Sequence, residues 1–218
     1  VKGMTRYLPI MLDCEGQPCV VIGGGVVAER KVSGLLEAGA AVKVISPSLT
    51  DPLDSLAEKG LLIWMDRTYA PGDLRGAFLV YAATNDRAVN EEVARESRQL
   101  GIHVNVASHA EVGNFITPGV FRRGRLTVAV STSGAGPLEA TKIKNVLEKA
   151  LDAAYEPYLD FVHAMRTRIK EKEPSAEVRG RLLRKLGTLD VLNEMSMGTF
   201  IAWSPEDMDA WIAEQRVE

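Results

Sequence analysis

A chain of 218 residues, 46% hydrophobic and 25% charged, has the balance of an ordinary globular protein and room for one large or two small domains. A net charge of −3 argues against non-specific nucleic-acid binding, although a local basic patch can still hold a small anion. The apolar runs fall far short of a membrane span, and no charged-then-apolar leader shows at the N-terminus.

In chain order, CVVI within residues 17–23 is a continuous apolar run between Pro18 and Gly23, which suits a parallel strand buried on both faces. A helix is expected over about 26–38, with Val27, Val32, Leu35 and Leu36 near one face and Gly39 at its end. AVKVIS (41–46) is a second strand. TDPLDSLAEKG (50–60) is a helix with Thr50 or Asp51 as cap and Pro52 in its first turn. LLIWM (61–65) and AFLVYAAT (77–84) are the third and fourth strands, the latter apolar enough to be central. NDRAVNEEVARESRQLG (85–101) is a helix capped by Asn85 or Asp86, followed by strand IHVNV (102–106). This alternation predicts an α/β fold, a parallel sheet with helices on both faces.

The pattern changes after residue 110. GVFRRGRLTVAVST (119–132) is two β-rich runs around RRGR, a hairpin signal, and GPLEATKIKNVLEKAL (136–151) is a helix opened by Pro137. Residues 152–218 read as helical, with breaks at Pro157, Pro174, Gly187 and Pro205. Leu182, Leu183, Leu186, Leu189 and Leu192 recur at helical spacing as one packed face, and Met195, Met197, Phe200 and Trp203 read as core or an interface. The expected domains are 1–112, an αβ dinucleotide-binding domain; 113–150, a hairpin and helix; and 151–218, a helical domain.

Gly23, Gly25 and Ala28 fit G-x-G-x-x-A between a strand and a helix. Gly23 allows the tight turn, Gly25 lets a pyrophosphate approach the backbone, and Ala28 lets helix and strand pack closely. The free N–H groups of the helix start then meet the phosphates. The acid that would bind a ribose 2′-hydroxyl at the second strand end is absent: Ser46, Pro47 and Ser48 stand there, with no arginine for a 2′-phosphate. The reading is NAD. Ala83, Thr84 and Asn85 end the fourth strand, where ligands lie in this architecture. Cys14 and Cys19 are too few for a disulfide framework and too far apart for C-x-x-C, so they read as thiols of a reducing cytoplasm. No group of His, Cys and acids has metal-ligand spacing, so no protein-bound metal is expected.

Several stretches together carry a resemblance. They are YLPIMLD (7–13), VVIGGGVVAERKVSGLLEAGAAVKVISP (20–47), VYAATNDRAVNEEVA (80–94), VNV (104–106), NFITPGVFRRGRLTVAVSTSGAGPLEA (114–140) and IKNVLE (143–148). N-F-I-x-P followed by R-R-G-x-L-T-V-A-V-S-T is the most distinctive. The chain resembles the precorrin-2 dehydrogenase family, the NAD-dependent module of siroheme synthases. The resemblance implies oxidation of the tetrapyrrole precorrin-2 to sirohydrochlorin with NAD⁺, and in some members insertion of Fe²⁺. It also implies a homodimer of intertwined chains, each with a Rossmann domain, a middle dimerisation segment at 113–150 and a helical domain.

Carried over residue by residue, the cofactor contacts fall on Gly23, Gly24, Gly25, Val26, Val27, Ser46, Pro47 and Ser48, completed by Ala83, Thr84, Asn105 and Val106. The family has a functional aspartate in NVVDxP. Here NVASHAEVGNFITP puts Ser108 at that position, with His109 next. A serine is neither a carboxylate base nor a metal ligand, which weakens the case for Fe²⁺ insertion. His109 is a candidate proton acceptor, since imidazole changes charge near neutral pH; Glu111 is a weaker one. Thr132 stands where some relatives carry a functional serine. Asn114, Arg122, Arg123 and Lys142 are the candidates for substrate carboxylates, which suit arginine's planar fork. The alternatives are a regulatory nucleotide-sensing module, suggested by the run Ala83–Asn90, and an unrelated reductase on the same fold.

Overall fold

The structure, a computed structural model, describes residues 6–217. The reading that no leader precedes the fold falls partly on residues 1–5, outside the described residues. The chain divides between Thr117 and Pro118 into two compact units.

In the first unit, β1 (Pro18–Ile22) pairs in parallel with β2 (Ala41–Ser46) and β4 (Leu79–Ala82); β2 also pairs with β3 (Ile63–Asp66), and β4 with β5 (His103–Val106). The strand order is β3-β2-β1-β4-β5. Helices α1 (Val26–Glu37), α2 (Asp51–Glu58) and α3 (Arg87–Gln99) connect the strands. The central strands β1 and β4 are apolar throughout because both of their faces are covered. Cys19 and Val21 of β1 join one core with Val32, Leu35 and Leu53, while Val20 and Ile22 join another with Val93 and Ala94. Each fully buried aliphatic side chain contributes about 1.5–3 kcal/mol. Between β1 and β4 the strand order reverses, which opens a crevice at their carboxyl ends.

Strands β3 and β4 are shorter than the sequence suggests, and β5 starts one residue later, at His103. β3 starts at Ile63 because Gly60, at φ +69°, and the turn after it take Leu61 out of the ladder. β4 ends at Ala82, and Ala83 and Thr84 turn away from the sheet after one last bond from Ala83 N–H to Ile22 O at 2.8 Å.

In the second unit, β6 (Gly119–Arg123) and β7 (Leu126–Val130) form an antiparallel hairpin closed by Gly124 and Arg125, with Gly124 at φ +49°. Helix α4 (Pro137–Ala150) packs on the hairpin, and α5 (Tyr155–Lys172), α6 (Ala176–Leu186), α7 (Val191–Met197) and α8 (Pro205–Val217) share a core around Phe161, Met165, Ile169 and Leu182. Pro157 does not break a helix. It lies in the first turn of α5, where a missing N–H costs nothing. The leucine stripe is not one helix face: α6 ends at Leu186, so Leu189 lies in the connection and Leu192 in α7. Met195, Phe200 and Trp203 pack against the core, whereas Met197 is exposed. Among the described residues, no helix is long and apolar enough to cross a membrane.

Candidate functional site

The three glycines after β1 answer different constraints. Gly23 is at φ +115°, and a Cβ there would meet Ala83 O at 2.5 Å. A Cβ on Gly24 would lie 2.0 Å from Ser48 O. Gly25 faces open space, with nothing within 4 Å of the added atom. The fold therefore needs the first two glycines, while the third leaves room for a ligand. Gly25 is also the N-cap of α1, and no side chain caps that helix. Its first-turn N–H groups and the positive end of its dipole are left to an anion. Ala28 is fully buried against the sheet, as close packing requires.

The glycines open into a cleft of about 460 Å³ that is also lined by Ser46, Pro47, Ser48, Ala83 and Thr84. This is an ordinary size for a small-molecule site. Ser46 is buried, and its hydroxyl accepts Ser48 N–H at 3.5 Å, which orders the strand end. Val26 and Val27, in the first turn of α1, are exposed and lie outside the lining. Asn105 and Val106 are buried in β5. Asn105 Nδ2 donates to Phe115 O at 3.0 Å, and its Oδ1 is buried without a partner.

Sequence reasoning left open which of Asn85 and Asp86 caps α3. Asp86 does, accepting Ala88 and Val89 N–H at 2.8 and 3.3 Å, and Asn85 lines the cleft beside it. Thr84 is fixed by a residue not singled out as functional. Asn90, buried in α3, accepts Thr84 N–H at 3.2 Å and the Thr84 hydroxyl at 2.8 Å, and donates to Thr84 O at 2.9 Å.

Thr50, Thr68 and Tyr69, which also line the cleft, were missed as well, Thr50 donating its N–H to Gly24 O at 2.9 Å. The rule that ligands lie beyond strand ends could have pointed to Thr68 and Tyr69, which follow β3. The Tyr69 hydroxyl bonds to Glu96 of α3, and burial followed by that acid pushes its pKa well up, so it stays a neutral phenol. The lining contains no lysine or arginine, so the charge for a pyrophosphate comes from the start of α1.

Ser108 and His109 lie in the loop after β5, outside the cleft lining, with His109 Nδ1 2.9 Å from Ser108 Oγ. Asn114 Oδ1 accepts Val104 N–H at 2.8 Å. In the second unit, Thr132 Oγ1 donates to Gly136 O at 3.3 Å. Arg122 is exposed, Lys142 pairs with Glu139 at 2.7 Å, and Arg123 Nη2 donates to Glu148 O at 2.8 Å. A broader, more open depression of about 690 Å³ on the second unit carries Trp203, Trp211, Asp207 and Glu214, a poor lining for an anion. Among the described residues, no group of three or more His, Cys, Asp and Glu could hold a metal ion.

A parallel sheet with a glycine turn and an uncapped helix start at its switch point defines a dinucleotide-binding protein. Residues 10–119 match a family model described as "Putative NAD(P)-binding". The chain is 40% identical over 167 residues to siroheme synthase of Nitrosococcus oceani, covering 77% of this chain and 36% of that one. It is 35% identical over 177 residues to precorrin-2 dehydrogenase of Priestia megaterium, covering 81% and 87%. Among solved structures, SirC, a precorrin-2 dehydrogenase, superposes with TM-score 0.74 at 30% identity, covering 97% of this chain and all of that one. The chain belongs to the precorrin-2 dehydrogenase family and has its NAD(P)-binding domain. It spans little more than a third of the siroheme synthases it matches, such as the 36% given above for Nitrosococcus oceani. These relatives are named as a siroheme synthase and as precorrin-2 dehydrogenases, and they lend no support to the nucleotide-sensor reading.

Proposed function

We propose that this chain oxidises precorrin-2 to sirohydrochlorin, with NAD⁺ as the acceptor. The observation that carries the reading is the open side of Gly25 beneath an uncapped helix start, in a chain that aligns with 87% of a precorrin-2 dehydrogenase. The bound nucleotide would supply a hydride acceptor. The chain's own residues hold and orient it. The first-turn N–H groups of α1 and the glycine backbone receive the phosphates, while Ser48, Thr68 and Tyr69 receive the adenosine. Loss of a hydride and a proton leaves a more conjugated macrocycle, so positioning supplies most of the acceleration. We assign the proton to His109 in the tautomer whose Nδ1–H donates to Ser108 Oγ, with Nε2 as the acceptor. In the second unit, we assign Arg122, Arg123 and Lys142 to substrate carboxylates, and Thr132 to the ordered loop before α4.

NAD rather than NADP is the finer reading, supported by the absence of an arginine at the end of β2. We assign no Fe²⁺ insertion to this chain, since Ser108 supplies no carboxylate. We place the reaction in the cytoplasm, where two free, buried thiols remain reduced. Burial pushes the Cys19 thiol up to about 12, which makes it inert. A homodimer is supported by α4, which has no buried residue and leaves Leu138, Ile143 and Val146 exposed on one stripe.

The test is an absorbance time course with purified chain, precorrin-2 and NAD⁺. A sirohydrochlorin spectrum that grows in step with NADH is expected; nucleotide binding without turnover would overturn the proposal. Fe²⁺ or Co²⁺ in a second cuvette should leave the product metal-free.

A further inference from the structure

The cleft has no acid at the end of β2 to favour a ribose 2′-hydroxyl over a 2′-phosphate, yet the neighbouring strand brings a cation there. Ser46 and Asp66 are register partners in β2 and β3. Arg67 follows Asp66 at the end of β3, where its N–H turns back to Met65 O at 2.8 Å, and it precedes Thr68 and Tyr69, which line the cleft with Pro47 at the end of β2. An arginine at this edge is suited to a 2′-phosphate. Its guanidinium is already engaged. Nη1 and Nη2 each donate to an oxygen of Asp73 at 2.7 Å, and Nη1 also donates to Thr68 O at 3.0 Å.

Asp73 is anchored in turn. Its side chain is 13% exposed, its Oδ2 accepts Ala70 N–H at 2.8 Å, and its backbone oxygen accepts Lys43 Nζ at 3.2 Å. The Arg67 guanidinium holds its carboxyl below the usual carboxylate range, so the pair stays ionised at neutral pH. Moving Arg67 to a phosphate would leave a mostly buried carboxylate unpaired. The same turn is tied to α3, where Glu96 accepts Gly72 N–H at 2.9 Å and the Tyr69 hydroxyl.

We propose that Asp73 sets the choice of nucleotide. By holding Arg67 in a two-pronged ion pair, it withholds that guanidinium from a 2′-phosphate, and the site takes NAD. This rests on the reading of the cleft as an NAD(P) site.

The test titrates NADH and NADPH separately into the full chain at fixed ionic strength, following nicotinamide fluorescence. The readout is the ratio of the NADPH to the NADH dissociation constant. Asp73→Asn keeps an oxygen for Ala70 N–H and removes the charge. The ratio should fall about tenfold as the freed guanidinium gains a charge-assisted partner. Adding Arg67→Ala to that variant should reverse most of the fall. Arg67→Lys gives an independent reading if Asp73→Asn does not fold. A lysine cannot make the two-pronged pair, so its ammonium is held less firmly and the ratio should again drop. A merely structural role would weaken both nucleotides together and leave the ratio unmoved, which overturns the proposal. A wild-type preference for NADPH overturns it as well. Failure of the wild type to bind either nucleotide overturns the cofactor reading on which it rests.

Discussion

At the scale of single residues, Gly24 and Gly25 are adjacent and chemically identical, yet substitution should affect them differently. A Cβ at Gly24 collides with the Ser48 backbone, whereas one at Gly25 meets nothing in the protein. Gly25→Asp should therefore keep the melting temperature near wild type. It should weaken NADH binding by about a hundredfold, because a carboxylate then faces the pyrophosphate across a few ångströms. Titration beside a thermal melt checks both halves, and strong residual binding would remove the turn from the cofactor site. Asp209 offers a residue-scale test of the second unit. Arg168 first, then Lys172, holds its carboxyl down to about 2. Because the folded value is depressed, the stabilisation is complete above the unfolded value of about 3.9 and disappears as pH falls toward 2. The melting-temperature gap between wild type and Asp209→Asn should be constant from neutral pH to about 5, then close in acid.

At the scale of elements, the starts of α1 and α3 both point to the carboxyl edge of the sheet, but only one is free. Asp86 satisfies the first N–H groups of α3, while Gly25 brings no side chain to α1. This contrast puts the phosphates at α1 and leaves α3 to hold the wall. The link is Asn90, whose side chain makes three bonds to Thr84 across the β4–α3 connection. Asn90→Ala leaves the Thr84 N–H and C=O without those partners and should cost about 1–3 kcal/mol. A shift in the urea midpoint with unchanged slope measures this, and NADH affinity should fall with it as Thr84 loosens. The cap at Asp86 could be read from sequence to within one residue, because capping is local. The clamp could not, because only the fold brings an α3 side chain under the β4 end.

At the scale of the whole molecule, the apolar stripe on α4 is the feature that the single chain leaves unexplained. Leu138 and Val146 are 75% and 66% exposed, a poor arrangement for a chain that stays alone in water. Leu138→Glu combined with Val146→Glu should convert a dimer to a monomer in sedimentation velocity without loss of helical signal. A wild-type chain that sediments as a monomer at micromolar concentration would remove the homodimer from the proposal. The segment was legible as a hairpin and helix from its turn residues and Pro137. Its exposed face was not, since a sequence pattern marks an apolar stripe without saying what covers it.

The sequence by itself determined the parallel sheet, the hairpin and the glycine turn. Each rests on a pattern carried by near neighbours: short apolar runs that alternate with helical ones, a turn that needs glycine, a proline in a first helical turn. Only the tertiary structure decided which groups face the cleft. It sent Val106 and Asn105 into the interior and Ser46 against Gly24, and it tied Arg67 to Asp73 and Tyr69 to Glu96. It also engaged Arg123 and Arg125, cations that the sequence could only count, with Glu148 and Asp160. The physical reason is that the partner of a polar side chain depends on which strand ends and helix faces the fold brings within about 3 Å, a distance that no local pattern encodes.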